Sequence, residues 1–148
     1  MTPSAVTHFF AAKAVTPSAS HRSNCHFVTS CTISSNEKSI AFYKELFGLQ
    51  VLKDFDGNVI LTEGLVLQDR KIWENLVEKE VSYGGNASEL YFVENNLEDF
   101  QKKLDGSSFE INYAHKLKTH SWGQKVIRIY DPDGHMIEIG EPPEAWRK

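Results

Sequence analysis

The chain has 148 residues, 41% of them hydrophobic, and a formal net charge of −4 at pH 7, which suits one domain or two half-domains with a shared core. Acidic and basic residues are interspersed without a basic stripe, so we expect no nucleic-acid partner. No apolar run approaches the roughly 18 residues that span a bilayer, so we expect a soluble protein without a membrane partner.

Residues 1–24 differ in composition from the rest of the chain. They contain no Asp or Glu and are rich in Ser, Thr, Ala and Pro. We interpret them as a disordered or loosely docked extension, and a transit peptide is the alternative. Cys25 and Cys31 lie six positions apart in one predicted strand, about 20 Å from each other, so they should be free thiols. Free thiols favour a reducing compartment, and we expect a cytoplasmic protein.

The first half of the chain predicts one strand, one helix and three further strands. Residues 26–33 alternate as a half-buried strand, with Ser30 on its more polar face. Residues 34–36 supply N-cap candidates for a helix that ends at Gly48. Asp69 can cap a second helix. The three further strands are predicted at about 50–55, 58–62 and 65–68.

The second half repeats this order of elements after a connection at residues 83–86. Its helix is capped by Asn95 or Asn96 and ends at Gly106. Its strands are predicted at 88–93 and near 109–115, 125–130 and 135–140. The sequence therefore predicts two βαβββ modules, which side by side would form an open, eight-stranded cup around a ligand.

The last two strands form a hairpin around the turn at residues 131–134. Its sequence is Asp-Pro-Asp-Gly, in which Pro fixes φ and Gly accepts a positive φ. Strand alternation puts Glu138 on the face opposite Ile137 and Ile139, and Arg128 on the same face as Glu138. This face is either a solvated outer face with a cross-strand Arg–Glu pair, or a site that uses a carboxylate.

Two segments carry a family resemblance. The run Asp-Pro-Asp-Gly-His-x-Ile-Glu-Ile at 131–139 resembles the closing hairpin of the vicinal oxygen chelate superfamily, which includes glyoxalase I, bleomycin- and fosfomycin-resistance proteins and extradiol dioxygenases. The segment from Glu37 to Leu49 is similar to the first helix of that superfamily. The resemblance implies an α+β fold of two βαβββ modules and a homodimer. We place the domain at 25–142, its modules at about 25–80 and 86–141, and a tail at 143–148.

The resemblance also implies where a metal would bind. Superfamily members carry ligands on the first and last strands of each module, commonly His on first strands and Glu on last strands. Glu138 matches the last strand of module two. In module one the alignment reaches Gln68, or Leu67 if the register slips by one. A divalent metal such as zinc, nickel, manganese or iron would then have Glu138 and Gln68 as ligands.

The two first-strand positions lack the usual imidazole. In module one the ligand position is occupied by Val28, and His26 on the same face could supply the imidazole instead. In module two the ligand position is occupied by Ser88. Glu89 is adjacent to Ser88 and is expected to point to the opposite face. A transition-metal site needs three or four donors. Because Glu138 and Gln68 are the main donors at the four ligand positions, the sequence favours a cup without metal over a family-type metal site.

The segment from His115 to Gln124 enters the penultimate strand and contains a Trp-Gly pair. It resembles the same region of bleomycin- and fosfomycin-resistance-like members, where the loop lies near the mouth of the cup. Trp122 is either a packing residue at the edge of the core or an aromatic wall for a planar ligand. His115 and His120 are five apart and are expected to lie on different faces, exposed to solvent. An inward His120 could act as a ligand or a base.

Two hypotheses for function follow. The first is a metal-assisted lyase or isomerase similar to lactoylglutathione lyase, with Glu138 as catalytic residue and Arg128 attracting an anionic substrate. The second is a non-catalytic protein, similar to bleomycin-resistance proteins, that binds a small aromatic or cationic molecule. Arg128, Trp122, His120 and Ser30 are the candidate substrate-binding residues in the cup. The small number of potential metal ligands favours the non-catalytic binding protein, whereas membership of a broad superfamily that includes enzymes favours an enzyme.

Overall fold

The computed structural model describes residues 28–142, which form two consecutive βαβββ modules. Module one consists of β1 (Thr29–Ile33), α1 (Asn36–Phe47), β2 (Val51–Asp54), β3 (Asn58–Leu61) and β4 (Leu65–Asp69). Helix α2 (Arg70–Val77) follows β4 and leads into the connection. Module two consists of β5 (Glu89–Val93), α3 (Leu97–Asp105), β6 (Asn112–Thr119), β7 (Lys125–Tyr130) and β8 (Met136–Gly140). The predicted order of elements is confirmed.

The predicted helix caps are also confirmed. The Ser35 side chain accepts a hydrogen bond from the backbone N–H of Lys38, and Gly48 ends α1 in the left-handed conformation with φ 70°. The Asp69 carboxylate accepts from two N–H groups of the first turn of α2. Asn96, the second of the two predicted candidates, caps α3. These caps set the boundaries of the helices, because they satisfy N–H groups that have no partner within the helix.

Each module contributes one four-stranded mixed sheet. The strand orders are β1-β4-β3-β2 and β5-β8-β7-β6, with the first pair of each sheet parallel and the remaining pairs antiparallel. The two sheets are hydrogen-bonded separately and do not close into a barrel. The α+β fold class, with two βαβββ modules and an open cup, is therefore confirmed.

One face of each sheet packs into a core that both modules share. The core includes side chains of both sheets and of helices α1 and α3, among them Ile33, Leu67, Tyr43, Leu104, Ile127 and Ile137. Phe47 of α1 stacks on Phe92 of β5 with 4.0 Å between ring centroids, which joins the modules directly. Fully burying side chains of this size stabilises a protein by about 1.5–3 kcal/mol each. The opposite faces of the sheets remain available for a site.

Strand β6 differs from its predicted position of 109–115. It begins at Asn112 and continues to Thr119, because residues 118 and 119 pair with the start of β7. Phe109 and Ile111 pack against the core before the strand begins. The interpretations of residues 1–24, Cys25, His26 and the tail at 143–148 lie outside the described residues. No helix within residues 28–142 has the length and apolarity to cross a membrane.

Candidate functional site

Glu138 lies in the middle of β8, on the face that points away from the core. Its neighbours Ile137 and Ile139 are fully buried in the core, so alternation turns the carboxylate to the other face. Glu138 pairs in register with Arg128 on β7 and Tyr91 on β5. It is nonetheless only 5% exposed. A carboxylate with so little solvent requires a cation, a donor or a proton.

The cation is Arg128, whose guanidinium is surrounded by four polar side chains. Nη2 forms an ion pair with Oε2 of Glu138. Nε lies 3.3 Å from Oε2 of Glu89, and Nη1 lies 3.1 Å from Nε2 of His115 and 3.3 Å from Nε2 of His120. The expected cross-strand pair of Arg128 and Glu138 is therefore confirmed. We call these five residues the arginine cluster.

The contacts of Arg128 define the protonation of His115. A guanidinium can only donate hydrogen bonds, so Nε2 of His115 must accept. Nδ1 of the same ring lies 3.1 Å from the carbonyl oxygen of Lys116 and donates to it, which makes the imidazole neutral. Burial, together with the positive charges of Lys118 and Arg128, holds the pKa of His115 below its usual value.

This lowered pKa predicts a loss of stability in acid. As the pH falls below about 6.5, the unfolded chain takes up a proton at His115 before the folded chain does, so the free energy of unfolding decreases. His115→Gln removes this contribution. Wild type should therefore lose more melting temperature than His115→Gln between about pH 7.5 and about pH 5.5. The difference between the two losses in melting temperature excludes the contribution of the other histidines, because both proteins contain them. Equal losses in both proteins would contradict the assignment.

Irregularities in β6 bring both histidines to Arg128. Tyr113 pairs with Ile129 and packs on the core, yet His115 pairs with Arg128 on the opposite face, because the register shifts between them. The chain then turns after His120, whose N–H donates to the carbonyl of Gln124 at 2.8 Å. The expectation that His115 and His120 lie apart and exposed is wrong. Each is only partly exposed, and both contact one guanidinium.

Trp122 extends this cluster into solvent. Its indole stacks on the His120 ring with 4.2 Å between centroids and 16° between planes, and 57% of the residue is exposed. The indole N–H lies 3.2 Å from Oε1 of Gln124, whose amide nitrogen donates to the Tyr91 hydroxyl. A Cβ on Gly140 would lie 2.5 Å from that hydroxyl, so glycine leaves the space that Tyr91 occupies. Trp122 is thus held on a hydrogen-bonded support.

The module-one candidates lie on the other sheet. Gln68 pairs with Thr32 of β1, while Leu67 is fully buried in the core, so Gln68 is the residue on the non-core face. Ser30 shares that face and lines a groove with Trp73 and the connection between modules. Among residues 28–142, the ion-pair partner of Glu138 is Arg128, and no hydrogen bond joins Gln68 to Glu138. The structure therefore brings Arg128, His120, Trp122 and Glu138 into contact with one another, whereas Ser30 lines one groove with Glu89 and does not contact the guanidinium.

Glu89 corrects one expectation about module two. It pairs with Met136, two residues before Glu138, so its side chain shares the face of Glu138 instead of pointing away. The strand begins at Glu89, and Ser88 belongs to the preceding loop. This one-residue shift replaces a hydroxyl with a carboxylate beside Arg128.

The residues around Glu138 do not fit a family-type transition metal. Glu89, His115, His120 and Glu138 would be suitable ligands, but each contacts the guanidinium of Arg128. Gln68 offers one amide oxygen from the other sheet. Within residues 28–142, the group of three potential ligands whose donor atoms lie within 4.8 Å of one another is Cys31, Asp131 and His135, which is a different place. Two separated oxygen donors fall short of a zinc, nickel or iron site.

Fold and cup together define a class of protein built from paired βαβββ modules with an open cup. The family model of the glyoxalase-like domain matches residues 27–144, so the chain belongs to this family, within the vicinal oxygen chelate superfamily. The sequence has no significant match among curated proteins.

Solved structures show the same fold. A protein of unknown function from Agrobacterium tumefaciens is 26% identical, with a TM-score of 0.70, covering 84% of this chain and 98% of that one. A glyoxalase-related enzyme from Fulvimarina pelagi is 19% identical, with a TM-score of 0.69 and coverages of 81% and 89%. A lactoylglutathione lyase from A. tumefaciens is 20% identical, with a TM-score of 0.64 and coverages of 85% and 98%.

Proposed function

We propose that the protein binds a small planar molecule at the arginine cluster and that Arg128 takes the place of a metal ion there. The observation that carries this proposal is the set of contacts of the guanidinium with Glu89, His115, His120 and Glu138. These are the residue types that would otherwise ligate a divalent metal. A guanidinium satisfies them through fixed N–H directions and keeps the two carboxylates paired.

The charges of the cluster indicate the chemistry of the ligand. Arg128 carries one positive charge and contacts two carboxylates, so it is less available to an anionic substrate than its sequence position suggests. The Trp122 indole is more than half exposed and lies near these two carboxylates. Stacking on an indole and a nearby negative charge both favour a planar ligand that is neutral or cationic. We therefore favour a binding protein over an enzyme.

The metal-assisted lyase or isomerase is the second candidate. It is supported by the position of Glu138 on β8 and by the family, since similar folds include a glyoxalase-related enzyme and a lactoylglutathione lyase. In that case Glu138 would be a ligand and catalytic residue, and Gln68 a second ligand. Arg128 would have to release Glu138 first, because the same oxygen cannot serve both cations at full strength.

Binding can be tested with a panel of small planar compounds, cationic, neutral and anionic, using calorimetric titration of chelator-treated protein. We expect a cationic or neutral planar compound to bind, and Trp122→Ala to weaken that binding at least tenfold. Such a loss corresponds to about 1.4 kcal/mol, within the range of one aromatic contact. The matched control is Phe55→Ala, which removes an aromatic ring of module one with the same exposed fraction of 57% and should bind as wild type does. Binding of the anionic compounds alone would contradict the proposal.

The same samples test the metal hypothesis. We expect zinc, nickel, manganese or iron to give no stabilisation that depends on Glu138. If a metal raises the melting temperature of wild type and of His135→Gln but not of Glu138→Gln, the metal binds in the cup and the second candidate is correct. Retention of the metal effect in Glu138→Gln would place the metal elsewhere.

We further propose that the protein works as a cytoplasmic homodimer. Exposed apolar side chains on β2, directly after it and on α2 support a partner surface, among them Leu52, Phe55 and Leu76. The buried free thiol of Cys31 agrees with a reducing compartment. Sedimentation of the titration samples should give the mass of two chains, and a monomer would contradict the dimer.

A further inference from the structure

A second cluster of chemically active side chains includes a core cysteine and shares no residue with the arginine cluster. It consists of Cys31 from β1 and of Asp131 and His135 from the turn between β7 and β8. One donor atom from each residue lies within 4.8 Å of the others. Cys31 and Asp131 are buried, and the His135 side chain is 25% exposed. The proposed binding site uses none of these three residues.

Hydrogen bonds fix the turn so that the three residues meet. Oδ1 of Asp131 accepts from the backbone N–H groups of Asp133 and His135, each at 2.9 Å. Asp133 in turn accepts from the N–H of Ser34 at 2.9 Å and from the hydroxyl of Ser39 at 3.2 Å. The turn of module two is therefore fastened to the β1–α1 junction of module one, and its position is set before any ligand arrives.

Tyr43 orients the carboxylate. Its hydroxyl is fully buried, donates to Oδ2 of Asp131 at 2.8 Å and also contacts Cys31. Nδ1 of His135 lies 2.9 Å from the same Oδ2. A hydrogen bond from outside the donor set to a ligand carboxylate is what fixes ligand geometry at known metal sites.

The cluster carries an excess of negative charge. Asp131 and Asp133 both lie near the thiol, and within residues 28–142 neither forms a salt bridge with a lysine or arginine. A divalent cation would supply the charge that the surroundings lack.

We propose that Cys31, Asp131 and His135 bind a divalent transition metal of the zinc type. One thiolate, one imidazole and one carboxylate are the donors that zinc accepts, and the fourth position of a tetrahedron remains for water. The thiol releases its proton to solvent as its sulfur binds the metal. If Nδ1 is the ligand atom, the proton of a neutral His135 moves to Nε2, and an imidazolium releases one proton to solvent. Cys31 and His135 both line the groove beside Gly84, which gives the ion a path.

Cobalt(II) tests this site with a signature that a structural role cannot produce. Cobalt bound by a thiolate in a tetrahedral site shows sulfur-to-metal charge-transfer absorption and strong visible bands. We expect one equivalent of cobalt to produce both in wild type and zinc to displace it. The Cys25→Ser variant, which removes the other cysteine, and Glu138→Gln, which alters the cup, should behave as wild type does. Cys31→Ser and His135→Gln should lose the charge-transfer bands.

Several results would overturn the proposal. These are the absence of thiolate absorption in wild type, its persistence in Cys31→Ser, and its loss in Cys25→Ser. If Cys31→Ser fails to fold, the test depends on His135→Gln, which changes a partly exposed residue. An unchanged cobalt spectrum in His135→Gln would then reject the site. Visible cobalt bands that lack the charge-transfer absorption and disappear in Glu138→Gln would assign the metal to the cup instead, so this proposal and the proposed binding function fail in distinguishable ways.

Discussion

Arg128→Met should lower the free energy of unfolding by about 3–5 kcal/mol, because it leaves a buried carboxylate without its counter-charge. The Glu138 side chain is only 6% exposed, and its ion-pair partner is Arg128. Methionine preserves most of the volume of the arginine stem, so the loss reports charge more than packing. Urea denaturation of wild type and variant measures the difference.

Two further variants isolate the cause. Arg128→Met combined with Glu138→Gln should recover much of the lost stability, since the double variant no longer buries an unpaired charge. Arg70→Met is the matched control, because the Arg70–Glu74 pair lies on the helix surface and should matter far less. If the single Arg128 variant is as stable as Arg70→Met, the arginine cluster does not hold Glu138 in a charged state.

Asp131→Ala should destabilise the protein by about 3 kcal/mol or more. The carboxylate accepts four hydrogen bonds, from the N–H groups of Asp133 and His135, the Tyr43 hydroxyl and the His135 ring. Each buried donor left without a partner costs about 1–3 kcal/mol. Thermal and urea unfolding should both show the loss. Asp105→Ala, which removes a surface salt bridge to Lys116, should have a much smaller effect.

The sign of the pH dependence checks the same interaction. Burial opposes ionisation of Asp131, but the hydrogen bond and charge of His135 and the Tyr43 hydroxyl outweigh it, so the pKa of Asp131 is lowered. Its contribution to stability is present above the unfolded value near 3.9 and is lost as the pH falls through the folded value. The contribution of His135, whose pKa is raised, is present below about 6.5 and lost at higher pH. Asp131→Ala should therefore be least different from wild type in strong acid, and a constant difference would contradict this pairing.

Local sequence patterns predicted most of the fold. Capping residues and glycines defined both ends of α1 and α3 to within one or two residues, and Asp69 defined the start of α2, because these signals act within a single turn of helix. The turn at 131–134 placed β7 and β8 in register and thereby paired Arg128 with Glu138. These features depend on neighbours in sequence, which a single chain displays directly.

The site was less predictable because it depends on irregular strands. A shift of one residue at the start of β5 exchanged Ser88 for Glu89, and register shifts in β6 moved His115 to the face of Arg128. Period-two alternation does not reveal a bulge, so no pattern in the sequence indicated that both histidines would converge. The proximity of Cys31 to Asp131 and His135 is likewise a product of packing between modules, about 100 residues apart along the chain.

The guanidinium among the four polar side chains has a consequence for how this cup would respond to its cell. A positive charge that is part of the polypeptide is present once in every chain from the moment of synthesis, and neither chelation nor scarcity of trace elements removes it. The same permanence would prevent exchange of one ion for another at the position of Arg128, and with it a change of reactivity in the cup. The charge at this position would change only through mutation, whereas in a metal-dependent relative it could change with the supply of metal ions.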